Sequence, residues 1–174
     1  MASRQREPGG RNSERSERRV SERVSAASYG TVLVLAALAA IDAEGVGSGL
    51  GWELVTGVGV ATWVAHLYAE VVGDHLRYDA RPDRREITMA ALDGVPIIVV
   101  ALPPAVVLLL GRLDVLDHRL ALWLSVVVAI AQLVALGAFV GSTVSSRGTA
   151  TWRYATVTGA MGIVVVTLKL LLGH

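Results

Sequence analysis

Thr62, His66, Glu70 and Asp74 recur at four-residue intervals inside an otherwise apolar stretch. On an α-helix that interval returns to nearly the same face, so the four side chains form a ladder. Asp93 is an acid inside the next apolar stretch. Two carboxylates and an imidazole at one depth suit a divalent cation of hard or borderline character, such as Mn, Fe or Zn. The same groups suit a proton relay inside a membrane protein. Structural roles compete with both: Glu70 and Asp74 could pair with Arg77 at a helix end, His66 could make one interhelical hydrogen bond, and Asp93 could pair with Arg85.

The elements that must hold these residues are hydrophobic. The chain has 174 residues, 53% of them hydrophobic and 18% charged. Eleven of the charges crowd into residues 1–23, and the rest of the chain is much poorer in charge than the roughly 25% of a soluble domain. A span needs roughly 20 apolar residues. Five stretches qualify, at about 24–41, 49–73, 87–111, 120–141 and 154–172. They show no polar face of the kind a soluble amphipathic helix carries. The expected fold is all-α, a polytopic five-helix transmembrane bundle over 23–174, preceded by a disordered Arg/Glu-rich cytoplasmic tail over 1–22.

Thirteen of the sixteen Lys and Arg residues fall in segments on one side if the N-terminus is inside, leaving Arg112, Arg119 and Lys169 on the other. That asymmetry predicts an inner N-terminus, an outer C-terminus and a multi-pass protein of the cell membrane. The Ala37-Leu38-Ala39 sequence is a poor imitation of a secretory cleavage site, because the polar region before the first span is too long and four further spans follow, and Arg18-Arg19 lacks the rest of a twin-arginine signal.

Depth then groups the polar residues. At 1.5 Å per residue, Glu70 lies roughly 5 Å and His66 roughly 10 Å from the inner end of their span, and Asp93 lies about 9 Å in from the inner start of its own. Gln132 sits about 13 Å from the inner end of the fourth span. Ser28 and Tyr29 lie near the inner end of the first. The candidate metal ligands are therefore His66, Glu70, Asp74 and Asp93, with Ser28, Tyr29, Thr62 and Gln132 lining an ion pathway. Pro96, Pro103 and Pro104 remove backbone donors from the third span and predict a kink. Gly57, Ala61, Ala65, Ala69 and Gly73 form a small-residue stripe beside the ladder, a seam for close helix packing in lipid.

Other classes fall away. A net charge of +1 with no folded basic patch excludes a nucleic-acid-binding domain. The absence of cysteine excludes disulfides, thiolate metal sites and a Cys nucleophile. No GxSxG, HExxH or Walker A pattern occurs, so no enzyme is expected, and Gly45 to Gly51 lacks the Lys of a nucleotide loop and reads as a flexible turn.

The layout resembles the vacuolar iron transporters, a family of divalent-metal/proton antiporters with five spans. The segment from Ala65 to Leu76 is similar to the family's second-helix pattern Ala-Asp-x-x-Ser-Met-x-x-Gly-Glu-Tyr-Leu, and Ala27-Ser28-Tyr29-Gly30 stands where its first helix has Asn-Asp-Gly. The stretch from Gly137 through Arg153 and Gly159 to Leu172 is similar to its closing helices. The family's first-helix Asp is Tyr29 here, its second-helix Met is Glu70, and only Asp74 matches a family acid in place and type. The resemblance implies a homodimer, or other homo-oligomer, in the lipid bilayer, with a cavity open to the cytoplasm and a transported metal ion rather than a cofactor. The first span and Trp63-Val64-Ala65-His66 also resemble the bacterial relatives of the endolysosomal potassium channel, which implies a cation channel. A third expectation is a non-transporting membrane assembly or partner-binding protein.

Overall fold

The computed structural model describes residues 8–78 and 83–144, together with Thr156, Ala160, Val164 and Thr167. Five helices carry the described chain: α1 Pro8–Ala39, α2 Ala43–Ser48, α3 Leu50–Tyr78, α4 Arg84–Arg112 and α5 His118–Val144. No strand occurs among the described residues. Among the described residues, three helices are long and apolar enough to cross a membrane, over Leu50–Gly73, Arg84–Arg112 and His118–Ser142. Their outer faces are apolar too: Val95, Val99, Leu102 and Val106 of α4 are exposed at helical spacing, as are Trp123, Leu124 and Val127 of α5. A surface of that kind suits lipid and is costly in water, which points to a membrane protein.

Local signals fix the helix ends. Asp42 accepts the Gly45 N–H at 2.8 Å and caps α2, and Gly49 leaves it in the left-handed region at φ 89°. The Glu86 carboxylate accepts the Asp83 N–H at 3.0 Å at the start of α4. Asp117 Oδ1 accepts from the N–H groups of Arg119 and Leu120 at 3.0 and 3.1 Å to open α5.

Two expectations change. Residues 8–22, assigned by composition to a disordered tail, are helical and continuous with the first span, so α1 is 32 residues long. Arg and Glu are good helix formers, Pro8 is tolerated in a first turn, and a helix already packed further along needs no new nucleation to extend. Residues 45–51, read as a flexible turn, contain most of α2 and the first residues of α3. The third and fourth spans fall within α4 and α5, and the second falls within α3 apart from Gly49, which closes α2. The fifth, 154–172, lies outside the described residues apart from Thr156, Ala160, Val164 and Thr167, which are helical and exposed at a spacing that puts them on one face.

Helix α4 is central, packing against α1, α2, α3 and α5. It stays one helix through Pro96, Pro103 and Pro104. Ser125 of α5 bridges at this level, donating to the Pro104 carbonyl at 3.1 Å and to its own helix at Ala121, 2.8 Å. The buried core is built from Val34, Leu35 and Leu38 of α1, Val55 of α3, Ala101, Ala105 and Leu108 of α4, and Ala121, Ala129 and Leu133 of α5. It fills the half of the bundle nearest α2. The closest approach there is at Gly111, where an added Cβ would stand 2.6 Å from Ala121 Cβ and 2.7 Å from Val46 Cγ1. Neither neighbour is a flexible side-chain tip, so Gly111→Ala should destabilise by about 1–3 kcal/mol. A lowered melting temperature in detergent, followed by circular dichroism, checks this; an unchanged one would show that the packing yields freely.

Candidate functional site

Away from α2 the bundle opens. The middle of α1, the C-terminal half of α3 and the first third of α4 border a cavity of about 620 Å³. Ser25 and Ala26 of α1 and Ala69 and Gly73 of α3 are among its walls, and side chains that small cannot fill the space between three helices. The charged lining is Glu22 from α1, Glu70 from α3 and Asp93 from α4, joined by His66 and Tyr29. Three carboxylates from three helices therefore face one vestibule.

Among the described residues, one cation is paired with these acids. Arg23 donates to Asp93 Oδ1 from Nη2 at 2.8 Å and from Nε at 3.0 Å. The Asp93 side chain is 14% exposed and that of Arg23 50% exposed. Both bonds fall on the same oxygen, which leaves Oδ2 outside the pair. Across the cavity, His66 Nε2 lies 3.9 Å from Glu70 Oε2 one turn along α3. That distance is too long for a hydrogen bond, but an attraction remains when the imidazole is charged.

What sets the His66 ring against α4 is Gly94. A Cβ there would stand 2.9 Å from Trp63 Cδ1 and 3.3 Å from His66 Cδ2, so only glycine lets α3 and α4 approach this closely. Trp63 then donates its indole N–H to the Ala91 carbonyl at 2.9 Å. Its depth in the second span, odd for an interfacial anchor, follows from this interhelical bond.

Of the residues expected at the site, His66, Glu70, Asp93 and Tyr29 line the vestibule. Asp74 lies on α3, and its side chain is outside the described residues. Thr62 is buried one turn from His66. Ser28 turns back to its own helix, donating to the Val24 carbonyl at 2.8 Å. Gln132 does not line the vestibule; its Oε1 is buried with no hydrogen-bond partner among the described residues. The pairing considered for Asp93 with Arg85 is replaced by Arg23. Arg23 stands at the boundary between the expected tail and the bundle, where composition sets no position for it, whereas a continuous α1 sets it opposite Asp93. Among the described residues, no group of three His, Asp or Glu side chains is close enough to hold a metal ion.

No family model, curated protein or solved structure matches this chain. Its chemistry rests on the residues themselves. A cavity with three acids, one imidazole and one salt-bridged arginine attracts cations, offers them nitrogen and oxygen donors, and contains groups able to exchange protons.

Proposed function

We propose that this chain is a multi-pass membrane transporter that takes up a divalent metal cation and exchanges it for protons. The observation that carries the reading is the acidic vestibule, which Glu22, Glu70 and Asp93 line together with His66 from three different helices. His66 and Glu70 supply one nitrogen and one carboxylate on adjacent turns, a donor pair suited to Mn, Fe or Zn. Asp93 joins when the cation displaces Arg23, and Asp74 is the fourth ligand of this proposal. Ionisable groups at this depth are costly unless they serve a pathway, which favours transport over a purely structural ladder. In this reading five spans place the N-terminus in the cytoplasm and the vestibule on the cytoplasmic side of the cell membrane, following the arginine asymmetry.

A second reading draws on the outer face of α3. Gly57, Ala61, Ala65 and Ala69 are all exposed, and an added Cβ at Gly57 would meet nothing within 4 Å. A small-residue face of that kind suits association with another transmembrane helix, either in a homo-oligomer of the transporter or in an assembly without transport.

Reconstituted vesicles separate these readings. The purified chain should drive uptake of Mn²⁺, Fe²⁺ or Zn²⁺ that stops when the proton gradient is collapsed. Uptake that persists without a gradient would make the chain a channel. No uptake of any of the three ions, with a protein partner co-purifying, would make it an assembly component.

A further inference from the structure

The opposite end of the bundle carries charges of its own. Arg112 Nη1 lies 3.4 Å from Glu53 Oε1, and His118 Nε2 lies 3.3 Å from Asp114 Oδ1. Arg119 and Glu44 are different. Neither side chain has an ion-pair partner among the described residues, yet both line a single groove of about 470 Å³. Asp42 and Trp123 line it too, against an apolar wall of Ile41 and Leu122. A volume of this size is in the range of small-ligand clefts, roughly 300–1,000 Å³.

Position identifies the kind of ligand. The groove lies where the apolar stretch of α5 begins, and Trp123 is five residues into that helix, roughly 7 Å along its axis. Trp123 is 53% exposed at the level where indoles settle between headgroups and acyl chains. Below it, Leu124 and Val127 present an exposed apolar track. The groove thus sets a guanidinium, two carboxylates and an indole immediately above a lipid-facing surface.

We propose that this groove is a binding site for a zwitterionic aminophospholipid, with the phosphate on Arg119, the primary ammonium on Glu44 and the open face of Trp123, and the acyl chains along Leu124 and Val127. Guanidinium and phosphate form strong charge-assisted hydrogen bonds, and an ammonium has three N–H donors for the carboxylates. A choline headgroup has no such donor. A glycerol headgroup has no cation, so its phosphate could still pair with Arg119 but Glu44 would gain no ammonium and would face a lipid of net negative charge. The proposal rests on the membrane reading of the fold but not on transport.

Native mass spectrometry of the full chain, released from nanodiscs holding equal amounts of phosphatidylethanolamine, phosphatidylcholine and phosphatidylglycerol, tests it. Retention of phosphatidylethanolamine should exceed that of either other lipid by about tenfold, as expected for one additional charge-assisted hydrogen bond. Glu44→Gln should erase the preference over phosphatidylcholine, and Arg119→Gln should lower retention of all three. Both side chains are exposed, so melting in detergent alone should be unchanged and would expose a folding defect. Equal retention of the three lipids, or retention indifferent to both substitutions, would overturn the site. Full displacement by soluble glycerophosphoethanolamine would also overturn it, because the ligand would then be a free headgroup and not a lipid. A chain that fails to enter nanodiscs at all would instead refute the membrane reading.

Discussion

Vesicles carrying the His66→Ala, Glu70→Gln double variant should take up divalent cation about 100-fold more slowly than vesicles carrying the unaltered chain, since each charged or metal-directed contact contributes roughly 1.5–3 kcal/mol. The two side chains sit one turn apart on α3 and line the vestibule with side-chain exposures of 38% and 36%. Their mutual separation of 3.9 Å stabilises the fold little, as half-exposed ion pairs are worth about 0–1 kcal/mol. The substitutions should therefore strike uptake much harder than stability. Metal-dependent quenching of a dye inside the vesicles reads the first, and melting in detergent reads the second. Uptake within about twofold of the unaltered chain would remove both residues from the pathway. Loss of uptake with a matching loss of melting temperature would assign them to packing, where Gly94 and Trp63 already place the His66 ring. Glu70→Asp shortens the side chain but keeps its charge, so partial recovery by that variant would separate a ligand from a mere spacer.

The helices were legible because apolar length is a property of composition. The stretches 49–73, 87–111 and 120–141 needed no knowledge of partners to be found, and α3, α4 and α5 contain all of them but Gly49. The vestibule was legible in part: the four-residue ladder and the depth of Asp93 brought His66, Glu70 and Asp93 together, because helical rise converts sequence separation directly into height. Rotation about the helix axis is another matter. Height does not say which way Gln132 or Ser28 turns, and neither faces the cavity as a lining residue. The contribution of α1 was hidden for a further reason. Polar composition argues for disorder only when a segment has nothing to extend from, and residues 8–22 continue a helix whose other half is buried through Thr31, Val34, Leu35 and Leu38. That continuity brings Glu22 to the cavity wall and Arg23 to Asp93. It also leaves the vestibule and the groove at the α2 end separated by roughly 25 Å of α1, from Glu22 to Ala39, comparable to the hydrocarbon thickness of a bilayer.

Arg23→Gln should raise the apparent affinity for the transported cation by about fivefold, the effect of removing a competitor held by roughly 1 kcal/mol. In the proposed cycle the guanidinium occupies Asp93 Oδ1 when the vestibule is empty, and cargo gains this carboxylate only by displacing it. Removing the arginine leaves Asp93 available without that cost. Asp93→Asn should have the opposite sign, raising KM by about tenfold, because a neutral amide attracts a cation far less than a carboxylate does. A structural latch predicts something else. If the pair only ties α1 to α4, both substitutions should lower the melting temperature together and neither should tighten cation binding. Exchanging the two residues, Arg23→Asp with Asp93→Arg, separates the ideas further. The swap restores the tie between the helices, so a latch should recover fully, whereas a cation site should not, because the carboxylate has moved from a side chain 14% exposed to a position on α1 that is 50% exposed. Uptake kinetics for the four chains, with melting curves beside them, decide between the two. In the proposed cycle the arginine that neutralises Asp93 at rest is then also the group that sets how readily a metal ion enters the vestibule.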